Sequence, residues 1–193
     1  MKICGITTAE AAEAAIDAGA DALGFVFAQS PRQLSPTLAT ALAGNLPGHV
    51  EKVAVFRRPQ HEEITAVLQG FDADTVQADR DSLLGFDDKP VLPVVRNGDI
   101  AGLEGHRVLF DSRRSGVGER ADWSVAAHVA RRSHLLLAGG LSANNVADAI
   151  FSVRPFGVDV SSGVESSRGV KDVGLITDFV NECRRIEREM VAT

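Results

Sequence analysis

The stretch Leu135–Val164, LLLAGGLSANNVADAIFSVRPFGVDVSSGV, decides the fold of this chain. Leu135–Ala138 is a short apolar run that stops at Gly139-Gly140. Ser142 stands where it can cap a helix whose Val146, Ala149, Ile150 and Val153 share one face at the i, i+3, i+4, i+7 spacing. Gly157–Val160 is the next strand, and Ser161-Ser162-Gly163 closes it. Strand, helix and strand in succession predict parallel neighbours, each ending in a small-residue turn. Two such turns side by side present backbone N–H groups that a phosphate can approach, because glycine puts no Cβ in front of them. In eight-stranded α/β barrels the phosphate site commonly follows strands seven and eight, so Gly139, Gly140, Ser161, Ser162 and Gly163 are candidate phosphate-binding residues.

The rest of the chain repeats the same unit. Lys2–Ile6 reads as the first strand, followed by Thr7-Thr8-Ala9-Glu10 with capping-box spacing and a helix face of Ala11, Ala14, Ala15 and Ala18 that ends at Gly19. Ala22–Phe27 is almost continuously apolar, as a parallel strand covered on both faces should be. Ser35-Pro36 opens a helix with proline at its first position. Lys52–Phe56, Thr75–Ala78, Val91–Arg96 and Arg107–Asp111 are the next four strands, with a helix over His61–Gln69 and at best a short one over Asp81–Phe86. Asn97–His106 carries three glycines in ten residues, which predicts a loop or single turn where a fifth helix would stand. Ser112–Ala121 is a second polar loop, Asp122 caps a helix from Trp123 to Arg132, and Asp172–Met190 closes the chain with Ile176, Phe179, Val180, Cys183 and Ile186 facing inward.

Eight strands alternating with about seven helices predict a parallel sheet, and eight units close most readily into a single-domain (β/α)8 TIM barrel over residues 1–193. The chain is shorter than the ~250 residues typical of that fold, so its loops must be trimmed. A doubly wound open sheet is the alternative, but no GxGxxG follows the first strand.

Composition narrows the function. A net charge of −6 gives no basic footprint for nucleic acid, and no run of 18 apolar residues is present to span a membrane. The start, Met1-Lys2-Ile3-Cys4, enters a strand at once with no room for a signal peptide, and two cysteines without framework spacing suit a reducing compartment. A cytoplasmic enzyme is expected. The five histidines (His49, His61, His106, His128, His134) show no metal-ligand spacing and read as solvated.

Barrel enzymes work at the C-terminal ends of their strands. Those ends offer Cys4, Asp111 and Asp159 as proton-moving groups and Arg32, in Ser30-Pro31-Arg32, either as a grip for a carboxylate or as an ordinary surface arginine. Asp111 is either a general acid raised by partial burial or a loop cap accepting N–H bonds. Cys4 is either a small apolar core residue or a base whose thiolate Lys2, about 6.5 Å along the same strand face, helps to form. Lys2 reads equally as a core lysine paired with a carboxylate, and Asp159 as its partner or as a ligand of a substrate hydroxyl. Trp123 reads as a packing residue at a helix start.

Taken together, KICGIT, AGADALGFVF, SPR, KVAVF, LFDS, LAGGLSANNV and FGVDVSSGVE resemble the phosphoribosylanthranilate isomerases of tryptophan biosynthesis, block for block and in order. The resemblance implies a (β/α)8 barrel that converts N-(5-phosphoribosyl)anthranilate to 1-(2-carboxyphenylamino)-1-deoxyribulose 5-phosphate without a cofactor. It implies Cys4 as general base, Asp111 as general acid, Arg32 facing the anthranilate carboxylate, Asp159 beside the sugar, and a monomer or weak homodimer acting on a small phosphorylated substrate. Two segments depart from the family. Its VQLHG is here Val76-Gln77-Ala78-Asp79-Arg80, and its GGxG loop with a Phe before Asp-Trp is here Arg114–Arg120 followed by Ala121. Two other readings compete: a dual-substrate isomerase that also serves the histidine pathway, and a barrel that binds a phosphorylated ligand without turnover. The first carries an aspartate where this chain has Cys4, and shows two similar halves that are not visible here.

Overall fold

The computed structural model describes residues 1–114 and 116–191. Eight parallel strands close into a barrel in sequence order: β1 Lys2–Cys4, β2 Ala22–Val26, β3 Glu51–Val55, β4 Thr75–Asp79, β5 Val91–Val95, β6 Arg107–Phe110, β7 His134–Leu137 and β8 Gly157–Val160. The ring is completed by β1 lying against β8, with Lys2 opposite Asp159. The described helices are α1 Ala9–Ala18, α2 Pro36–Ala43, α3 His61–Leu68, α4 Trp123–Ala130, α5 Val146–Val153 and α6 Val173–Val191. A two-stranded hairpin, β9 Glu165–Ser167 with β10 Val170–Lys171, follows β8 and folds back beside the barrel's C-terminal mouth.

The ends of the helices are written in their flanking residues. Thr8 caps α1 through its hydroxyl and Gly19 ends it at φ 98°, a left-handed conformation that glycine adopts without a Cβ clash. Ser35 accepts from the Leu38 N–H ahead of Pro36, and Asp122 accepts from Ser124 and Val125 N–H at the start of α4. Ile176, Phe179, Val180, Cys183 and Ile186 bury one face of α6 against the barrel. Full burial of one such aliphatic or aromatic side chain contributes about 1.5–3 kcal/mol.

Several boundaries differ from the sequence reading. Strands one, two, three, five, six and seven stop one or two residues earlier, at Cys4, Val26, Val55, Val95, Phe110 and Leu137, and strand four runs one residue further, to Asp79. The cap of α1 is Thr8 and the third helical residue is Ala11, so Thr7–Glu10 forms no capping box. Ser142 does not cap α5. A turn at 143–145 intervenes, Asn145 is the N-cap, and its side chain ties Ser142 N–H (2.9 Å) to the Gly140 carbonyl (2.8 Å). Between β4 and β5 lies only a 3-10 turn, Arg80–Leu83, leaving six α-helices among the described residues where about seven were expected. Residues 97–106 hold turns and no helix, as their glycines predict. Ser115 of the loop after β6, and Ala192 and Thr193 at the end of the expected domain, lie outside the described residues.

The pairing register places the inward side chains in tiers drawn from alternate strands, the arrangement expected inside an eight-stranded barrel. Lys2, Val53, Leu92 and Leu136 make one tier. Gly24, Gln77, Leu109 and Asp159 lie above them, and Cys4, Val55, Val94 and Ala138 above those. At the mouth come Val26, Asp79, Asp111 and Ser161. Near the opposite end, Arg107 grips Glu51 with two bonds of 2.9 Å.

Candidate active site

The eight barrel strands all run the same way, so β1 and β6 deliver Cys4 and Asp111 to one mouth. Cys4 is the last residue of β1 and is 7% exposed. It has room because β2 carries Gly24 beside it: a Cβ there would lie 3.0 Å from the Cys4 Sγ and 3.3 Å from Lys2 Cε. Lys2 is fully buried and donates to Asp159 at 2.6 Å, so the two residues form an ion pair in the barrel core. Burial opposes the Lys2 charge, yet Asp159 and Cys4 outweigh it and hold the ammonium above its ordinary range. Burial likewise pushes the Cys4 thiol up, with Lys2 pulling against it and Asp159 adding to it.

Asp111 is the first residue after β6, and its Oδ1 accepts the Ser112 N–H at 2.7 Å. It shares a cleft with Asp159, Gly139, Gly140, Ser161 and Ser162. Three carbonyls of this cleft are already engaged. Gly139 O accepts from Ala121 N–H (3.3 Å), Gly140 O from the Asn145 side chain (2.8 Å), and Ser161 O from Lys171 (2.9 Å). What the turns keep to offer is amide N–H. Gly139 and Gly140 take φ of 85° and 66°, and Gly163 packs so tightly that an added Cβ would fall 1.8 Å from the Leu141 carbonyl oxygen. Small residues are therefore required where the two turns meet.

Arg32 reaches the mouth, but not as an open clamp. Its Nε and Nη2 donate to the two oxygens of Glu165 at 2.6 and 2.8 Å, and Nη2 also reaches the Gly116 carbonyl at 3.4 Å. The planar fork that suits a carboxylate is thus filled by one from this chain. Glu165 also accepts from Lys171 (2.7 Å) and from Gly169 N–H (3.0 Å). Burial works to raise it, but the bonds from Arg32, Lys171 and Gly169 prevail and bring its carboxyl down to about 2.

Glu165 and Lys171 escape a reading of the sequence because they sit on a hairpin beyond the last barrel strand, where no strand-end rule points. Gln77 of β4 faces the barrel interior. It lies one tier below Cys4 with its Oε1 buried and unpartnered among the described residues. Asp79, standing where the family has histidine, is buried and accepts from Arg96 (2.7 Å) and Arg58 (3.0 Å), which explains how an acidic residue is accommodated there. Trp123 opens α4, packs partly against the core and carries the Arg120 guanidinium 3.6 Å over its ring. Among the described residues no group of three His, Cys, Asp or Glu side chains is set to hold a metal ion, and no helix is long and apolar enough to cross a membrane.

A closed parallel barrel with ionisable side chains and small-residue turns gathered at its C-terminal mouth defines a (β/α)8-barrel enzyme. The family model described as N-(5'phosphoribosyl)anthranilate (PRA) isomerase matches residues 1–182. An N-(5'-phosphoribosyl)anthranilate isomerase from Oceanobacillus iheyensis is 37% identical, over 96% of this chain and 97% of its own. The crystal structure of the phosphoribosyl anthranilate isomerase from Thermus thermophilus superposes with a TM-score of 0.85 at 29% identity, covering 96% of this chain and 98% of that one. Another isomerase structure, in complex with reduced 1-(o-carboxyphenylamino)-1-deoxyribulose 5-phosphate, gives 0.81 at 34% identity, covering 95% and 97%. The chain belongs to the phosphoribosylanthranilate isomerase family and is an isomerase of tryptophan biosynthesis.

Proposed function

We propose that this chain rearranges N-(5'-phosphoribosyl)anthranilate with Asp111 as general acid and Cys4 as general base. Asp111 protonates the furanose ring oxygen, the C1–O bond breaks, and the nitrogen lone pair forms a protonated imine at C1. The positive nitrogen acidifies the C2 proton, which the Cys4 thiolate removes, giving an enolamine. Loss of the enol proton and protonation at C1 give the ketone product, so protons and electrons balance with no cofactor. The observation that carries this reading is the delivery of both groups to one mouth, beside the turns after β7 and β8.

The substrate phosphate sits on the amides around Gly139, Gly140, Ser161, Ser162 and Gly163, and Asp159 lies beside the sugar while holding Lys2. Arg32 meets the anthranilate carboxylate through Nη1, the guanidinium nitrogen that Glu165 does not occupy. Both catalytic groups and both turns come from one chain, so a monomer or weak homodimer suffices. Free thiols at Cys4 and Cys183 suit the reducing cytoplasm. The test is turnover of N-(5'-phosphoribosyl)anthranilate by the purified protein, alongside growth of a tryptophan auxotroph lacking this isomerase. Absence of both supports a ligand-binding barrel, and turnover of the histidine-pathway substrate supports the dual-substrate reading.

A further inference from the structure

Cys4 works in a buried place where a lone thiolate is costly, so something must offset its charge. Charged side chains surround it from several elements of the barrel and the hairpin. Lys2 on β1 pairs with Asp159 on β8, and Arg32 after β2 pairs with Glu165 on β9. Lys171 on β10 adds a third cation, with a side chain only 1% exposed. At the rim, Asp79 on β4 is answered by Arg96 and Arg58, and Asp111 after β6 is the general acid of the reaction proposed above. Around the thiol, then, three cations face two carboxylates. One positive charge is left over, and a Cys4 thiolate brings the buried cluster to neutrality.

Lys171 shares Glu165 with Arg32, donating to it at 2.7 Å. Lys2 and Asp159 form a closed pair, and the Arg32 fork already satisfies Glu165 with two bonds. Lys171 spends its remaining bonds on Ser161, at 2.9 Å to the carbonyl and 3.4 Å to the hydroxyl. Ser161 follows β8, whose Val160 is paired with Ile3, so the ammonium is anchored on the strand next to Cys4. Burial, with Arg32 nearby, brings Lys171 below its ordinary value against the pull of Glu165 and Cys4, and Lys171 in turn favours the thiolate.

We propose that Lys171 is a positioning residue of the reaction, the counter-charge that lets the buried Cys4 thiolate form. The inference rests on Cys4 acting as the base, but its test needs no turnover. The full-length protein is treated with iodoacetamide across a pH series, and alkylation of the Cys4 peptide is read by mass spectrometry. Cys183, pushed up to about 12 by burial, stays outside the window.

Lys171→Met moves the ascending limb up by roughly one pH unit, the order of effect of a nearby charge. A merely structural loss of the hairpin wets the thiol and moves the limb the other way. Glu165→Gln leaves two excess positive charges and moves the limb down, and the double variant, with one excess charge restored, returns it near the wild-type position. Removing the Lys171 charge therefore raises the limb in either background, which keeps the test alive if the single variant does not fold. No shift, or a downward shift, on that removal overturns the proposal. Isomerase activity failing in the wild-type protein sinks the reading of function and leaves this measurement standing.

Discussion

The ion pair between Lys2 and Asp159 is the most exacting feature of the barrel interior. Lys2 is fully buried, Asp159 is 7% exposed, and their bond is 2.6 Å long. Replacing Lys2 with Met strands a carboxylate, and replacing Asp159 with Leu strands an ammonium. Breaking a buried pair on one side costs about 3–5 kcal/mol, because the surviving charge keeps its desolvation penalty without its partner. For a chain of this size each kcal/mol moves Tm by about 2–4 °C, so either single variant loses roughly 6–20 °C. The double variant Lys2→Met/Asp159→Leu removes both charges and fills similar volume, so its stability lies within about 1 kcal/mol of wild type or rises above it. Urea unfolding followed by the fluorescence of the sole tryptophan, Trp123, and by circular dichroism gives all four values of the cycle. Single variants that lose less than about 1 kcal/mol, or a double variant as damaged as the sum of the singles, would refute the reasoning.

Two other predictions are independent of that pair. Gly163→Ala places a Cβ 1.8 Å from the Leu141 carbonyl oxygen, backbone against backbone, so the turns after β7 and β8 must part. Since about 1 Å of misplacement is costly, inorganic phosphate should inhibit the variant roughly tenfold or more weakly; unchanged inhibition would contradict a phosphate site there. Glu165 is held near about 2 when folded, below the ~4.3 of an unfolded glutamate. Its contribution to stability is full above the unfolded value and is lost as pH falls through that value towards 2, so the wild-type protein should lose stability between about pH 4.5 and 2 more steeply than Glu165→Gln. Parallel acid-unfolding curves would show that the Arg32–Glu165–Lys171 cluster is not holding the charge.

The barrel is legible in the sequence because its period is carried by side chains that any parallel strand needs. Ala22–Val26 and Leu135–Leu137 are apolar without a break because both of their faces are buried, while glycine and proline mark where such runs must stop. The loop at Asn97–His106 is equally legible, since three glycines cannot sustain a helix there. The α5 cap is not: Ser142 and Asn145 are both good capping residues, and only the bonds of Asn145 to Gly140 and Ser142 decide between them. In the site, Cys4, Asp111 and the turn glycines follow from strand ends. Charge partnership follows only in part: Asp159 is one reading for the partner of Lys2, 157 residues away, whereas nothing in the sequence directs Arg32 to Glu165 across 133 residues. Sequence spacing alone does not decide pairs so distant until the barrel has closed.

The most direct measurement is the kcat of Cys4→Ser and Asp111→Asn with N-(5'-phosphoribosyl)anthranilate, compared with wild type. Each variant should lose about 10²-fold or more in kcat with little change in binding, since each removes a proton transfer made only in the transition state. A near-normal kcat in either one would show that the group at that strand end is not the acid or base assigned to it.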